Sequence, residues 1–272
     1  MPRTFRLTLE YDGGGFEGWQ IQPGGHRTVQ GVLEDAVTRV TGQRVRAVGS
    51  GRTDAGVHAE GQVASLQLET AMDADRLRCA LNGALPRDVA VLAAAGAPDA
   101  FDARRDALAK LYRYRIWNGR DRSPLRAHRA LHRAGPLDLE AMQRAARAFE
   151  GAHDFASFQA TGSSVISTRR TLTRLEIAGE AGADVEMLFE GGGFLRHMVR
   201  ILVGSLLAVG SGRWAPEDVP AILAARDRRR AGPTAPAHGL TLVAVRYAGD
   251  PPWDANSSIL VIPRDSIERS TS

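Results

Sequence analysis

The residues best suited to chemistry lie in one glycine-rich run, Gly49-Ser50-Gly51-Arg52-Thr53-Asp54-Ala55-Gly56-Val57-His58-Ala59. Its three glycines in eight residues let the backbone turn sharply and come close to a ligand. Asp54 stands in the middle, with Arg52 two residues before it and His58 four after. A carboxylate there can serve as nucleophile or base, although in an anonymous turn it would simply close the turn with its side chain. Tyr112 is a second candidate. By the two-residue alternation of a strand it shares a face with Tyr114 and Ile116, which alone reads as strand packing. Arg200 is the third. From Met198 to Val209 every residue is apolar or Gly except Arg200 and Ser205, so the helix reads as buried nearly all round. A buried guanidinium without a counter-charge is costly. The sequence therefore predicts either an acidic partner, with Asp54 the candidate, or a side chain that reaches out to solvent. Arg196 and His197 fall in what reads as the first turn of that helix, where they could meet phosphate. By position His58 reads as a turn residue and Cys79 as a core thiol.

The elements that must position these groups follow from hydrophobic periodicity. Phe5, Leu7, Leu9 and Tyr11 alternate with polar residues over 3–11, a half-buried strand. After a Gly-rich loop from Gly13 to Gly25, Thr28 caps a helix carrying Val29, Val32, Leu33, Ala36, Val37 and Val40 inward, and Gly42 ends it. Strands are predicted at 44–49, 61–68 and 88–94, with a helix at 73–84 between the last two. The order then repeats: strand 107–117, helix 138–149, strands 169–178 and 184–190, helix 194–209, strand 240–247, with a short extra helix near 216–226. Each half reads β-α-β-β-α-β, so the expected fold is α+β, two tandem ferredoxin-like halves forming a mostly antiparallel sheet with a central cleft. The boundaries fall at 1–104 and 105–248, and 249–272 reads as a polar tail ordered poorly or only locally.

The run Gly51-Arg52-Thr53-Asp54-Ala55-Gly56-Val57-His58-Ala59 resembles the signature of the tRNA pseudouridine synthase A family. Further segments similar to that family occur in order: Tyr11-Asp12-Gly13 with Phe16 and Gly18-Trp19-Gln20; Thr28-Val29-Gln30-Gly31; Tyr112-Arg113-Tyr114; Asp154-Phe155 with Ser157-Phe158; Arg170-Thr171; Phe194 to Arg200; and Thr234 to Leu240. They span about residues 5–247. Two positions depart from the pattern, Asp102 in Phe101-Asp102-Ala103-Arg104-Arg105 and Leu111 before the tyrosine pair. The resemblance implies an isomerase that converts uridine to pseudouridine in the tRNA anticodon stem-loop, at tRNA positions 38, 39 and 40, as a cytoplasmic homodimer. It implies Asp54 as the catalytic nucleophile, with Tyr112 and Arg200 beside it. Arg52, His58, Arg196, His197 and the Tyr112 ring are expected to contact substrate. The reaction breaks N1–C1′, turns the base and joins C5 to C1′. It needs no redox cofactor, nucleotide or metal. Attack at C1′, attack at C6 and removal of a sugar proton all fit the residue types.

Composition bounds the alternatives. The chain has 272 residues, 43% hydrophobic and 24% charged, in the range of ordinary globular proteins. No stretch approaches the roughly 18 apolar residues of a membrane helix. The one cysteine excludes a disulfide framework or a Cys-based zinc site within the chain. Nothing at the N-terminus resembles a targeting peptide, and a reducing cytoplasm is expected. The net charge is +4; the tail holds four acids and two arginines, so the body alone carries +6, a mild pointer to a polyanionic partner. Arg supplies 34 of the 35 basic residues, which codon bias explains without function; Lys110 is the exception. The basic runs Arg104-Arg105 and Arg226-Asp227-Arg228-Arg229-Arg230 are candidates for RNA backbone contact or for a solvated face. Two rival readings stand: a non-catalytic RNA-binding module with RRM-like halves, and an enzyme of small-molecule metabolism.

Overall fold

Fully buried Leu7 and Leu9, with Phe5 and Tyr11, give β1 (Arg3–Tyr11) one apolar face. The computed structural model describes residues 1–162, 165–251 and 253. After β1, α1 (Val29–Thr41) starts where the Thr28 hydroxyl accepts from the Gly31 amide and stops at Gly42, whose φ is 73°. That is the expected capped start and left-handed glycine stop. Then come β2 (Val48–Gly49), β3 (His58–Leu68), α2 (Ala74–Ala84) and β4 (Val89–Ala97). The second run of elements is β5 (Ala109–Trp117), β6 (Leu131–His132), α3 (Leu139–Arg147), β7 (Gly151–Asp154), β8 (Arg169–Gly179), β9 (Asp184–Gly191), α4 (Met198–Gly210), α5 (Val219–Ala225) and β10 (Leu240–Arg246).

The strands make one mixed, mostly antiparallel sheet in the order β4-β1-β3-β10-β5-β9-β8-β7, with β2 on β3 and β6 on β5. The arrangement is α+β. The joint that matters is between β3 and β10, which pair in parallel through Thr241↔His58 and Leu242↔Ala59. Beside it β10 pairs with β5, setting Leu242 against Tyr112. The start of β3, which follows the Asp54 loop, is thus only one strand from Tyr112. Phe5, Leu7, Leu9, Tyr112, Tyr114 and Ile116 belong to one continuous core with the buried residues of α1 to α4.

Several expectations need correction. The strand expected at 44–49 shrinks to β2, because Glu34 and Gln30 of α1 take the Ala47 amide and carbonyl that a longer ladder would use. The helix expected from 194 begins at Met198, since His197 has φ 59° and cannot continue a right-handed turn. Cys79 is exposed: α2 buries Leu77 and Leu81, and position 79 falls between them on the outer side. The tail at 249–272 lies largely outside the described residues. Among the described residues, no helix is long and apolar enough to cross a membrane.

Candidate active site

Two glycine-rich loops clasp each other around Asp54. The Asp54 carbonyl accepts from the Val57 amide in a tight turn, and Gly56 at φ 78° completes it. From the other loop, the Trp19 amide donates to the Thr53 carbonyl at 3.0 Å, and the Gly56 amide donates to the Phe16 carbonyl at 3.2 Å. Gly18 permits that approach, because at φ 95° a Cβ there would stand 2.7 Å from the Thr53 oxygen. Behind the turn runs a buried polar chain. The Tyr11 hydroxyl meets Thr53 Oγ1 at 2.8 Å, and Gln62 Nε2 donates to the Gly51 carbonyl at 2.9 Å. The Ser50 hydroxyl in turn donates to Gln62 Oε1 at 2.6 Å. Burial pushes the Tyr11 phenol up to about 12, so it stays a neutral hydrogen-bonding group. Because backbone and neighbours close the turn, the Asp54 carboxylate is left to point elsewhere.

It points at Arg200, whose Nη1 donates to Asp54 Oδ2 at 3.1 Å. The guanidinium is fixed from behind, as Nε donates to the Ala235 carbonyl at 2.7 Å. Eleven of the thirteen α4 residues are buried, and Arg200, on the one face that is not, reaches the carboxylate. The two side chains are 15% and 27% exposed, which leaves Asp54 open to a ligand on one side. His197 Nε2 lies 3.6 Å from the same carboxylate oxygen. Burial, with the Arg200, Arg196 and Arg228 charges, lowers the His197 pKa against the opposing pull of Asp54.

Tyr112 packs edge-on against Phe194, ring centroids 5.1 Å apart and planes at 81°. Its hydroxyl has no protein partner among the described residues and is not fully enclosed. Burial first, then Tyr11 and the Asp54 charge, raise its pKa, so the group beside Asp54 is a phenol and not a phenolate.

Arg52 and Arg196 are exposed near the site, with Arg196 reaching the Thr161 carbonyl. His58 is buried, only 1% exposed. Its Nδ1 accepts from the Gly13 amide at 3.1 Å, and its Nε2 lies 3.2 Å from the His238 carbonyl. It therefore holds protein segments together, and the substrate contact expected of it is corrected on that ground. The run 226–230 is mostly committed to the protein: Arg226 to Asp154, Arg229 to Asp227, Arg228 to Thr234. Among the described residues no cluster of three or more His, Cys, Asp or Glu side chains could hold a metal ion. A separate concavity of about 500 Å³, lined by Arg115, Leu125, Arg126, Arg129 and Glu186, contains none of the candidate residues.

Residues 8–105 and 145–248 match the family model described as tRNA pseudouridine synthase. The chain belongs to that family. It is similar to tRNA pseudouridine synthase A of Myxococcus xanthus, 45% identical over 93% of this chain and 94% of the relative. The protein of that name from Acidiphilium cryptum is 49% identical over 92% and 98%, and that from Pelobacter propionicus 46% over 90% and 100%. As a pseudouridine synthase the chain is an isomerase acting on uridine in tRNA. Against that chemistry the arrangement offers a guanidinium-held carboxylate, a neutral phenol and an aromatic face. Gln62, Thr53, Phe194 and the Ala235 carbonyl also position the central groups, although the sequence marks none of them with a role. Thr53, Phe194 and Ala235 lie within the family-like segments, and Gln62 stands out as a polar residue amid the apolar run of β3.

Proposed function

We propose that the chain isomerises uridine at positions 38, 39 and 40 of the tRNA anticodon stem-loop, with Asp54 as nucleophile and without a cofactor. The observation that carries the reading is the Asp54–Arg200 pair, formed between a turn before β3 and a helix 146 residues later. The guanidinium orients a carboxylate that remains open on its ligand side. The extruded uracil would lie against the Tyr112 ring, since a base must leave its stack before its C5 and C1′ can be reached. In the net reaction N1–C1′ breaks, C5–C1′ forms, C5 loses its proton and N1 gains one. A neutral Tyr112 hydroxyl suits a relay, accepting one proton while giving up another. Two tandem ferredoxin-like halves, 1–104 and 105–248, are part of this reading. Its support is that the strand orders β4-β1-β3-β2 and β10-β5-β9-β8 correspond element for element. The enzyme would act as a cytoplasmic homodimer, one subunit holding the tRNA body while the other acts on the loop.

Mapping pseudouridine in tRNA from cells with and without the gene tests this reading. Loss at positions 38 to 40 alone is expected. Unchanged modification there, or loss at another position, would overturn the assignment of the target.

A further inference from the structure

Lys110 is the single lysine beside 34 arginines. It lies on β5 two residues before Tyr112 and on the same face, opposite Gly191 of β9. Its alkyl chain runs along Gly51, three residues before Asp54; a Cβ on Gly51 would stand 3.2 Å from Lys110 Cε. Among the described residues the Lys110 ammonium has no hydrogen-bond or ion-pair partner. Burial first, then the charges of Arg104 and Arg170, lower its pKa. The Arg104 side chain is exposed and also unpartnered among the described residues, unlike those of Arg226, Arg228 and Arg229. Arg170 Nε lies close to the Gly191-Gly192-Gly193 turn that leads to Phe194.

The Arg104 and Arg170 charges act on Lys110 with no carboxylate opposing them there, and an anion seated beside its ammonium relieves that repulsion. We propose that Lys110, flanked by Arg104 and Arg170, is a binding site for a backbone phosphate of the substrate RNA. The assignment rests on the reading of tRNA as substrate. The phosphate it would take belongs to the nucleotide being isomerised or to its neighbour. Two residues along a strand cover about 6.7 Å, comparable to the span from a nucleobase to its own phosphate. With the base against Tyr112, the phosphate falls at Lys110.

The uniqueness of Lys110 supplies the test. An amine-reactive ester can acylate only Lys110 and the α-amine at position 1, which is fully exposed and serves as the internal reference. Substrate tRNA should slow acylation of Lys110 at least tenfold and leave the α-amine unaffected. In parallel, Lys110→Met should weaken tRNA affinity by about tenfold or more, the scale of one charge-assisted hydrogen bond. The loss should fall on KM rather than on kcat. The slope of log affinity against log salt should shrink by roughly 0.7 to 0.9, one phosphate contact. The variant should melt no lower than wild type, since an uncompensated charge has been removed. If it fails to fold, the acylation experiment on the unaltered chain decides. Unchanged affinity and slope in a folded Lys110→Met, or no protection of Lys110, would overturn the phosphate site. Wild-type protein that neither binds nor isomerises tRNA would overturn the substrate reading instead.

Discussion

At the scale of single residues, one carboxylate oxygen gathers the site: Asp54 Oδ2 lies 3.1 Å from Arg200 Nη1 and 3.6 Å from His197 Nε2. Removing Arg200 as Arg200→Met keeps α4 packed but releases the carboxylate from its direction, and kcat should fall about a hundredfold or more. A double-mutant cycle with Asp54→Asn should give a coupling of about 1 kcal/mol, since the pair is only partly exposed. Coupling below roughly 0.5 kcal/mol would mean that the pair does not act as a unit. His197 reports on the same cluster. The Asp54 charge raises its pKa and the Arg200 charge lowers it. Its titration midpoint by NMR should therefore move down in Asp54→Asn and up in Arg200→Met. Movement in the same direction in both variants would contradict the geometry. The Arg200 partner was legible in the sequence because a lone cation in an apolar helix has so few ways to be satisfied. The burial of His58 was not, since it depends on the His238 carbonyl, 180 residues away.

Among the elements, α4 does the most to build the site, and its placement depends on how closely it approaches the segment at 232–236. A Cβ on Gly204 would stand 1.8 Å from the Pro233 carbonyl oxygen, and one on Gly232 would stand 2.6 Å from the Gly204 carbonyl carbon. Ser205, the other polar residue of the helix, accepts from the Gly232 amide at 2.9 Å. That contact sets the Ala235 carbonyl behind Arg200. Gly204→Ala should push the segment away and destabilise the fold by about 2 kcal/mol or more, read by thermal or urea unfolding. It should also lower kcat by loosening Arg200; an unaltered kcat and melting temperature would show that the crossing is not tight. Long elements were readable from periodicity and caps: α1 and its glycine stop, α2, β1, β5, β8 and β9. β6 and β7, of two and four residues, were not, being too short for an alternating pattern. The start of α4 was misplaced because the left-handed turn at His197 has no marker in a non-glycine residue.

For the molecule as a whole, the pairing of β3 with β10 is what brings the Asp54 loop to α4 and Tyr112. The number and order of the larger elements were legible, but this joint was not, because only two residue pairs make it and they are far apart in sequence. A tRNA substrate met by several arginines should bind with a steep inverse dependence on salt, through release of counterions from phosphate. A slope near zero in log affinity against log salt would favour a small-molecule substrate. Activity should persist after exhaustive EDTA treatment in a buffer that keeps the tRNA folded. Loss restored by zinc alone would mean that a metal site had been misread. The proposed function requires that Asp54 performs the chemistry and does not anchor the RNA. Its most direct test is tritium release from tRNA labelled at uridine C5, measured for Asp54→Asn beside a tRNA binding titration. Turnover should drop below about one part in a thousand of wild type with affinity nearly unchanged. Residual turnover well above that level, or a loss explained by weakened binding, would contradict it.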